Sequence, residues 1–248
     1  MSLPKPITWG DDPSFFGPRD YFRNTLILRE LASLKQGAHI LDYGCGCGNL
    51  TRRLILRGFK VTAFDVSLLS LQVCRKNIKH LHQEETTRIT SESSEILGPF
   101  DAVCCGEVLE HLEHDAETIR LFHIVLKPGG LCVITVPAHQ RYWDENDTLS
   151  GHRRRYEKNE ISQMMRDAGF HVKKVLCFGP VSLAWHRRVY LPVIKKRRRT
   201  IQILHHTNNT QLRIQHYLAR IFSLVFFFDL LFMKSDAWNA YLLVAKKS

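Results

Sequence analysis

The chain has 248 residues, 44% hydrophobic and 24% charged, which suits one substantial buried core in an ordinary globular protein. Seven cysteines without a CxxC pair exclude a zinc ribbon or disulfide framework and fit reduced, buried thiols of a cytoplasmic protein. The formal charge of +11 points to an anionic partner, whether nucleic acid, acidic lipid or phosphorylated molecule, although runs such as Arg153-Arg154-Arg155 also read as solvated surface.

The opening MSLPKPITWGDD has no apolar stretch of the kind a secretory leader needs. Apolar residues at helical spacing (Tyr21, Phe22, Leu26, Leu28, Leu31, Leu34) predict a helix over 18–34, so 1–36 reads as a helical lead-in. Strand and helix patterns then alternate. HILDYG and FKVTAFD read as strands, each followed by a helix (NLTRRLILRG, then SLLSLQVCRKNIKHLH). TRITSES is a weak third strand and FDAVCCG a clear fourth, followed by a helix beginning at EVLEHL. Lys127-Pro128-Gly129-Gly130 reads as a turn before the strand LCVITVP. A helix around 160–167, the strand FHVKKVLCF and a last strand AYLLVAKK complete the pattern. Such alternation predicts an α/β fold, Rossmann-like, with a mostly parallel sheet and helices on both faces.

The densest signal is Leu41-Asp42-Tyr43-Gly44-Cys45-Gly46-Cys47-Gly48, between the first strand and first helix. Dinucleotide loops follow G-x-G-x-x-G, whose third glycine would fall at Asn49; here the spacing is G-x-G-x-G behind an acid. Asp42 suits a cationic amino group and would repel a phosphate. Asp65, with Val66 after it, ends the second strand, where a carboxylate can accept both hydrogen bonds of a ribose diol. Ser67 is the more natural cap of the following helix. Glu92 reads equally as an acceptor for an adenine amino group and as an exposed loop acid.

LDYGCGCG, VTAFD, FDAVCCGEVLEHL, LKPGGLCVITVP and AGF before the sixth strand together resemble the successive motifs of class I S-adenosylmethionine-dependent methyltransferases, similar to the ubiquinone-pathway O-methyltransferase type. The resemblance spans 37–178 and the final strand, 239–248. It implies a seven-stranded sheet with an antiparallel last strand, S-adenosylmethionine held by Asp42, Gly44, Gly46, Gly48, Asp65, Val66 and Glu92, and catalysis mainly by alignment.

Glu107, Glu110 and His111 share about a 100° arc if they open a helix, and so converge on one site. Two carboxylates and an imidazole there suit Mg²⁺ or another divalent cation. The ubiquinone-pathway and small-RNA 2′-O-methyltransferase branches carry this Glu-x-x-Glu-His pattern, with His152 resembling a further ligand of the RNA branch. Without a metal, His111 or His152 can serve as general base on a hydroxyl; His111 as a helix-packing residue is the alternative.

Between the sixth and last strands lie about 60 residues, too many for a turn, so 179–238 is expected to be a helical insertion, either a lid or a membrane contact. Its basic run 195–199 and aromatic-rich IFSLVFFFDLLFM suit a peripheral membrane surface, while the apolar run is too short to span a bilayer. The expected activity is O-methylation of a small lipophilic or anionic molecule. An RNA 2′-O-methyltransferase is the alternative, nucleic acid being the less favoured partner, and an inactive membrane-tethered adaptor the third reading.

Overall fold

The computed structural model describes residues 18–81, 84–179 and 236–248, together with Leu224 and Phe228. Seven strands form one sheet: β1 (His39–Tyr43), β2 (Lys60–Phe64), β3 (Thr87–Thr90), β4 (Phe100–Gly106), β5 (Leu126–Pro137), β6 (Phe170–Phe178) and β7 (Ala240–Lys247). Their order is β3-β2-β1-β4-β5-β7-β6. All neighbouring pairs are parallel from β3 through β5, and β7 runs antiparallel to both β5 and β6.

The central strands read as unbroken apolar runs because both of their faces are covered. In β4, Ala102 and Cys104 point into one core with Leu26, Ile27, Leu54 and Leu71, while Val103 and Cys105 point into the other with Ile119, Phe122, Ile161 and Met165. The first core belongs to α1 (Pro18–Glu30), α2 (Asn49–Ile55) and α3 (Leu68–Ile78); the second belongs to α4 (Asp115–Val125) and α6 (Lys158–Asp167). Each fully buried aliphatic side chain contributes on the order of 1.5–3 kcal/mol. All seven cysteines are free and buried, as expected from their apolar neighbours.

Several boundaries differ from the sequence reading, among them the end of α3 at Ile78, short of 82. The first two helices stop at Glu30 and Ile55, short of 34 and 58. Lys127-Pro128-Gly129-Gly130 lies within β5, as a bulge: pairing jumps from Phe100↔Leu126 to Ala102↔Leu131, and Gly129 takes φ 74°. Proline donates no ladder hydrogen bond, which makes a bulge its natural place in a sheet. A further short helix, α5 (Glu145–Ser150), was not foreseen. The expected 179–238 insertion lies almost wholly outside the described residues. Among the described residues, no helix is long and apolar enough to cross a membrane.

Strand order reverses between β1 and β4, and in open parallel sheets that reversal opens a crevice at the carboxyl ends of the strands. The Gly44–Gly48 loop leaves β1 there and Glu107 follows β4.

Candidate active site

The glycine loop is anchored to the end of β2. Gly44 and Cys45 N–H donate to the Phe64 carbonyl at 2.8 and 2.9 Å, and Gly46 N–H donates to Asp65 Oδ2 at 2.8 Å. Asp65 Oδ1 accepts from Ser67 N–H at 2.8 Å, so this half-buried carboxylate fixes the ends of both β1 and β2. Each oxygen keeps a lone pair for a further donor. Ser67 caps α3, accepting from Ser70 N–H, as the sequence suggested.

The three glycines hold φ of 73°, 52° and 83°, the left-handed region, but for different reasons. A Cβ at Gly44 would lie 2.3 Å from Val108 Cγ2, and one at Gly48 would lie 2.5 Å from Cys74 Sγ; at Gly46 nothing lies within 4 Å. Gly44 and Gly48 therefore serve packing, and Gly46 faces open space. Val66, beside Asp65, is 81% exposed. The Asp65 carboxylate has the acceptor capacity that a ribose diol needs.

Asp42 lies below the loop. It is 2% exposed and accepts from Thr51 Oγ1 at 2.6 Å. Burial, only partly offset by that hydrogen bond, pushes its carboxyl up to about 7, with the nearby Asp65 charge adding to the rise. Glu92 sits exposed after β3, its N–H donating to Thr90 Oγ1.

The segment after β4 does not open as an α-helix. Glu107 takes φ 58°, Leu109–His111 is one 3₁₀ turn, and α4 begins only at Asp115. The shared helical arc expected for Glu107, Glu110 and His111 is thus corrected: convergence comes from tertiary packing. Ligand atoms of Glu110, His111 and His152 lie within 4.8 Å of one another. The His111 and His152 rings meet edge to face at 4.8 Å, and His152 Nε2 is 3.9 Å from Glu110 Oε1. Glu107 stands outside this group and faces Arg19 at 3.9 Å.

Electrostatics separates the two glutamates. Burial favours the neutral form of Glu107, yet the Arg19 and Arg23 guanidinium charges prevail and hold its carboxyl below the usual range. Burial and the Glu107 charge push Glu110 well above it. Both Glu110 oxygens are buried without a hydrogen-bond partner, as are Glu107 Oε1, Arg23 Nε and Thr135 Oγ1. Burial and the neighbouring His152 lower the His111 pKa.

Two of the three arginines in the basic run, Arg154 and Arg155, form a latch with buried carboxylates, while the Arg153 side chain is exposed. Arg153 N–H donates to the Glu110 carbonyl at 2.8 Å, Arg154 pairs with Asp115 at 3.0 Å, and Arg155 grips Asp147 at 2.9 Å. Tyr156, fully buried, donates to Asp115 Oδ2 at 2.7 Å. This latch seats His152 against the 109–111 turn. The sequence reading missed Asp147, Asp115 and Tyr156. The D-x-x-D capping box of Asp144 and Asp147, closed by Gly151, was the available signal. A second convergence of His139, Cys177 and Asp236 is closed on itself: His139 Nδ1 meets Glu157 at 2.8 Å, Tyr241 donates to Asp236 at 2.7 Å, and Cys177 bonds the Trp238 backbone.

The donor crevice and the histidine pair adjoin, because Val108, next to Glu107, packs on Gly44. A methyltransferase-domain family model matches residues 17–175. The ubiquinone biosynthesis O-methyltransferase of Pseudomonas aeruginosa (strain LESB58) is 37% identical over 132 residues, covering 49% of this chain and 54% of that protein. That of Azotobacter vinelandii is 38% identical over 102 residues, 38% of this chain and 42% of its own. The chain thus spans about half the length of the curated relatives it matches. Among solved structures, Haemonchus contortus phosphoethanolamine N-methyltransferase 2, in complex with S-adenosyl-L-methionine, superposes with TM-score 0.66 at 18% identity, over 96% of this chain and 55% of that one. The N-methyltransferase NodS of Bradyrhizobium japonicum, bound to S-adenosyl-L-homocysteine, gives 0.57 at 16%, over 93% and 88%. These structural likenesses establish the fold. With the family match over most of the chain, they lead to one conclusion: the chain belongs to the S-adenosylmethionine-dependent methyltransferase family.

Proposed function

We propose that this chain is an O-methyltransferase acting on a small hydroxyl-bearing acceptor, lipophilic or anionic in the rest of its structure. The observation that carries this reading is the seating of two histidines, His111 and His152, beside the glycine-loop crevice. S-adenosylmethionine, when bound, supplies an electrophilic methyl group on a sulfonium. The chain's contribution is alignment, worth on the order of 7–11 kcal/mol in such reactions, and a base that takes the hydroxyl proton as the new C–O bond forms. We assign the donor to a face formed by Gly46, Asp65, Val66 and Glu92, with Asp42, Gly44 and Gly48 shaping the loop beneath it. The ubiquinone-pathway relatives support an oxygen acceptor.

A second reading places a divalent cation on Glu110, His111 and His152. It is favoured by the two partnerless oxygens of a fully buried carboxyl, which a cation would satisfy. The RNA 2′-O reading draws no support: Arg154 and Arg155 are engaged with the buried Asp115 and Asp147. We retain 179–238 as the lid or membrane-contact element over a 37–178 core closed by 239–248; the exposure of Leu224 (61%) and Phe228 (60%), four residues apart, supports an apolar contact there.

Calorimetry with S-adenosylhomocysteine and with NAD⁺ tests the donor assignment. The former is expected to bind and the latter not; the reverse result ends this reading. Methyl transfer that persists in EDTA and is unaffected by added Mg²⁺ leaves the histidine-base form and removes the cation.

A further inference from the structure

We infer that Asp147 is a positioning residue: it fixes the tautomer of His152 so that Nε2 presents a lone pair to the Glu110–His111 turn. The inference rests on the reading of His152 as base or ligand, and it names what makes that side chain competent.

The Asp147 side chain is 1% exposed, and its carboxylate meets three fixed donors and the His152 ring. Oδ1 lies 2.7 Å from His152 Nδ1 and accepts from Arg155 Nε at 3.0 Å. Oδ2 accepts from Arg155 Nη2 at 2.9 Å and from Asp144 N–H at 2.8 Å. A guanidinium and a backbone amide can only donate, and an ionised carboxylate can only accept. No proton is left on Asp147 to give to His152, so the proton of that short contact must sit on Nδ1. In the neutral ring the lone pair then falls on Nε2, the atom facing Glu110 Oε1 at 3.9 Å. The opposite tautomer would set two lone pairs against each other at 2.7 Å in a buried place.

The supports of Asp147 are themselves anchored. Arg155 Nη1 donates to the Ala138 carbonyl at 3.1 Å, which ties the arrangement to the end of β5, and the side chain is 9% exposed. His152 N–H donates to the Asp147 carbonyl at 2.9 Å, so backbone and side chain fix the ring together. A line of fixed contacts therefore runs from the sheet edge through Arg155 and Asp147 to a single nitrogen at the candidate active site. Outer partners of this kind set ring orientation and tautomer, and their loss typically costs 10–100-fold in affinity or activity.

Histidine ¹⁵N NMR on the full chain reads the tautomer directly. Wild-type His152 is expected to show a protonated Nδ1 and an unprotonated Nε2 when neutral; protonation at Nε2 alone overturns the inference without any variant. In Asp147→Asn the new amide NH₂ faces a donor in either orientation. The Nδ1–H signature is expected to weaken or move to Nε2, and methyl transfer to fall at least 10-fold at constant S-adenosylhomocysteine affinity. An Asn variant keeping both the wild-type tautomer and full turnover also overturns it. Asp147→Glu, which retains a carboxylate, is expected to recover part of the lost turnover, and recovery no better than Asn counts against the inference. If wild-type protein fails to bind S-adenosylhomocysteine, the methyltransferase reading falls, while the tautomer measurement still decides the role of Asp147.

Discussion

Gly46→Ala separates binding from folding at the glycine loop. The backbone there takes φ 52°, and an added methyl meets no atom within 4 Å. Its stability cost is therefore the left-handed backbone penalty of about 1–2 kcal/mol, less roughly 0.4–1 kcal/mol returned by a stiffer unfolded chain. The methyl projects into the space assigned to the donor, so S-adenosylhomocysteine affinity is expected to drop at least 10-fold. Gly48→Ala inverts this pattern: its methyl would stand 2.5 Å from Cys74 Sγ. Overpacking adds about 1–3 kcal/mol to the same backbone cost, and Cys74→Ala should relieve most of the addition. Urea midpoints and calorimetry on the three variants make the comparison. If Gly46→Ala binds as tightly as wild type, Gly46 does not border the donor and the assigned crevice is wrong.

Asp42 is protonated more readily when folded, so its contribution to stability is complete below about pH 4 and is lost as pH rises toward 7. A rise from 3.8 to about 7 corresponds to roughly 4 kcal/mol. Asp42→Asn should therefore gain on wild type by ~2 kcal/mol between about pH 5.5 and pH 8, and a gap independent of pH refutes the account. Asp65→Ala removes two carboxylate–amide hydrogen bonds and should cost on the order of 2–4 kcal/mol in denaturant titration. It should also abolish S-adenosylhomocysteine binding, and retained binding contradicts the ribose assignment. Glu110→Gln keeps the shape of a neutral buried carboxyl, so its melting temperature should match or exceed wild type near pH 7. A large loss of stability would show that Glu110 is ionised and paired in the folded chain. Tyr156→Phe removes the buried hydroxyl donor from Asp115, leaving Arg154 and the Ala116 N–H, and should cost about 1–3 kcal/mol; an unchanged melt would mean the latch is not held there.

The sequence by itself determined the sheet and its ligand edge. Periodicity and turn chemistry are local, so β6 and β7 could be read to the residue from FHVKKVLCF and AYLLVAKK, and the G-x-G-x-G loop located the crevice. Long-range packing decided the rest. Three glycines that look alike in sequence divide into two that accommodate Val108 and Cys74 and one that opens outward, a distinction set by residues 26 to 64 positions away. Glu107, Glu110 and His111 looked like one helical face; Glu107 instead turns away toward Arg19, while the Asp147 and Asp115 pairings bring His152 in. Of the three arginines that read as a patch for an anionic partner or as solvated surface, Arg154 and Arg155 neutralise the buried Asp115 and Asp147, while Arg153 stays on the surface opposite Glu113. Local spacing cannot report which opposite charge a side chain will meet once the chain has folded, and that pairing sets which nitrogen of His152 is free.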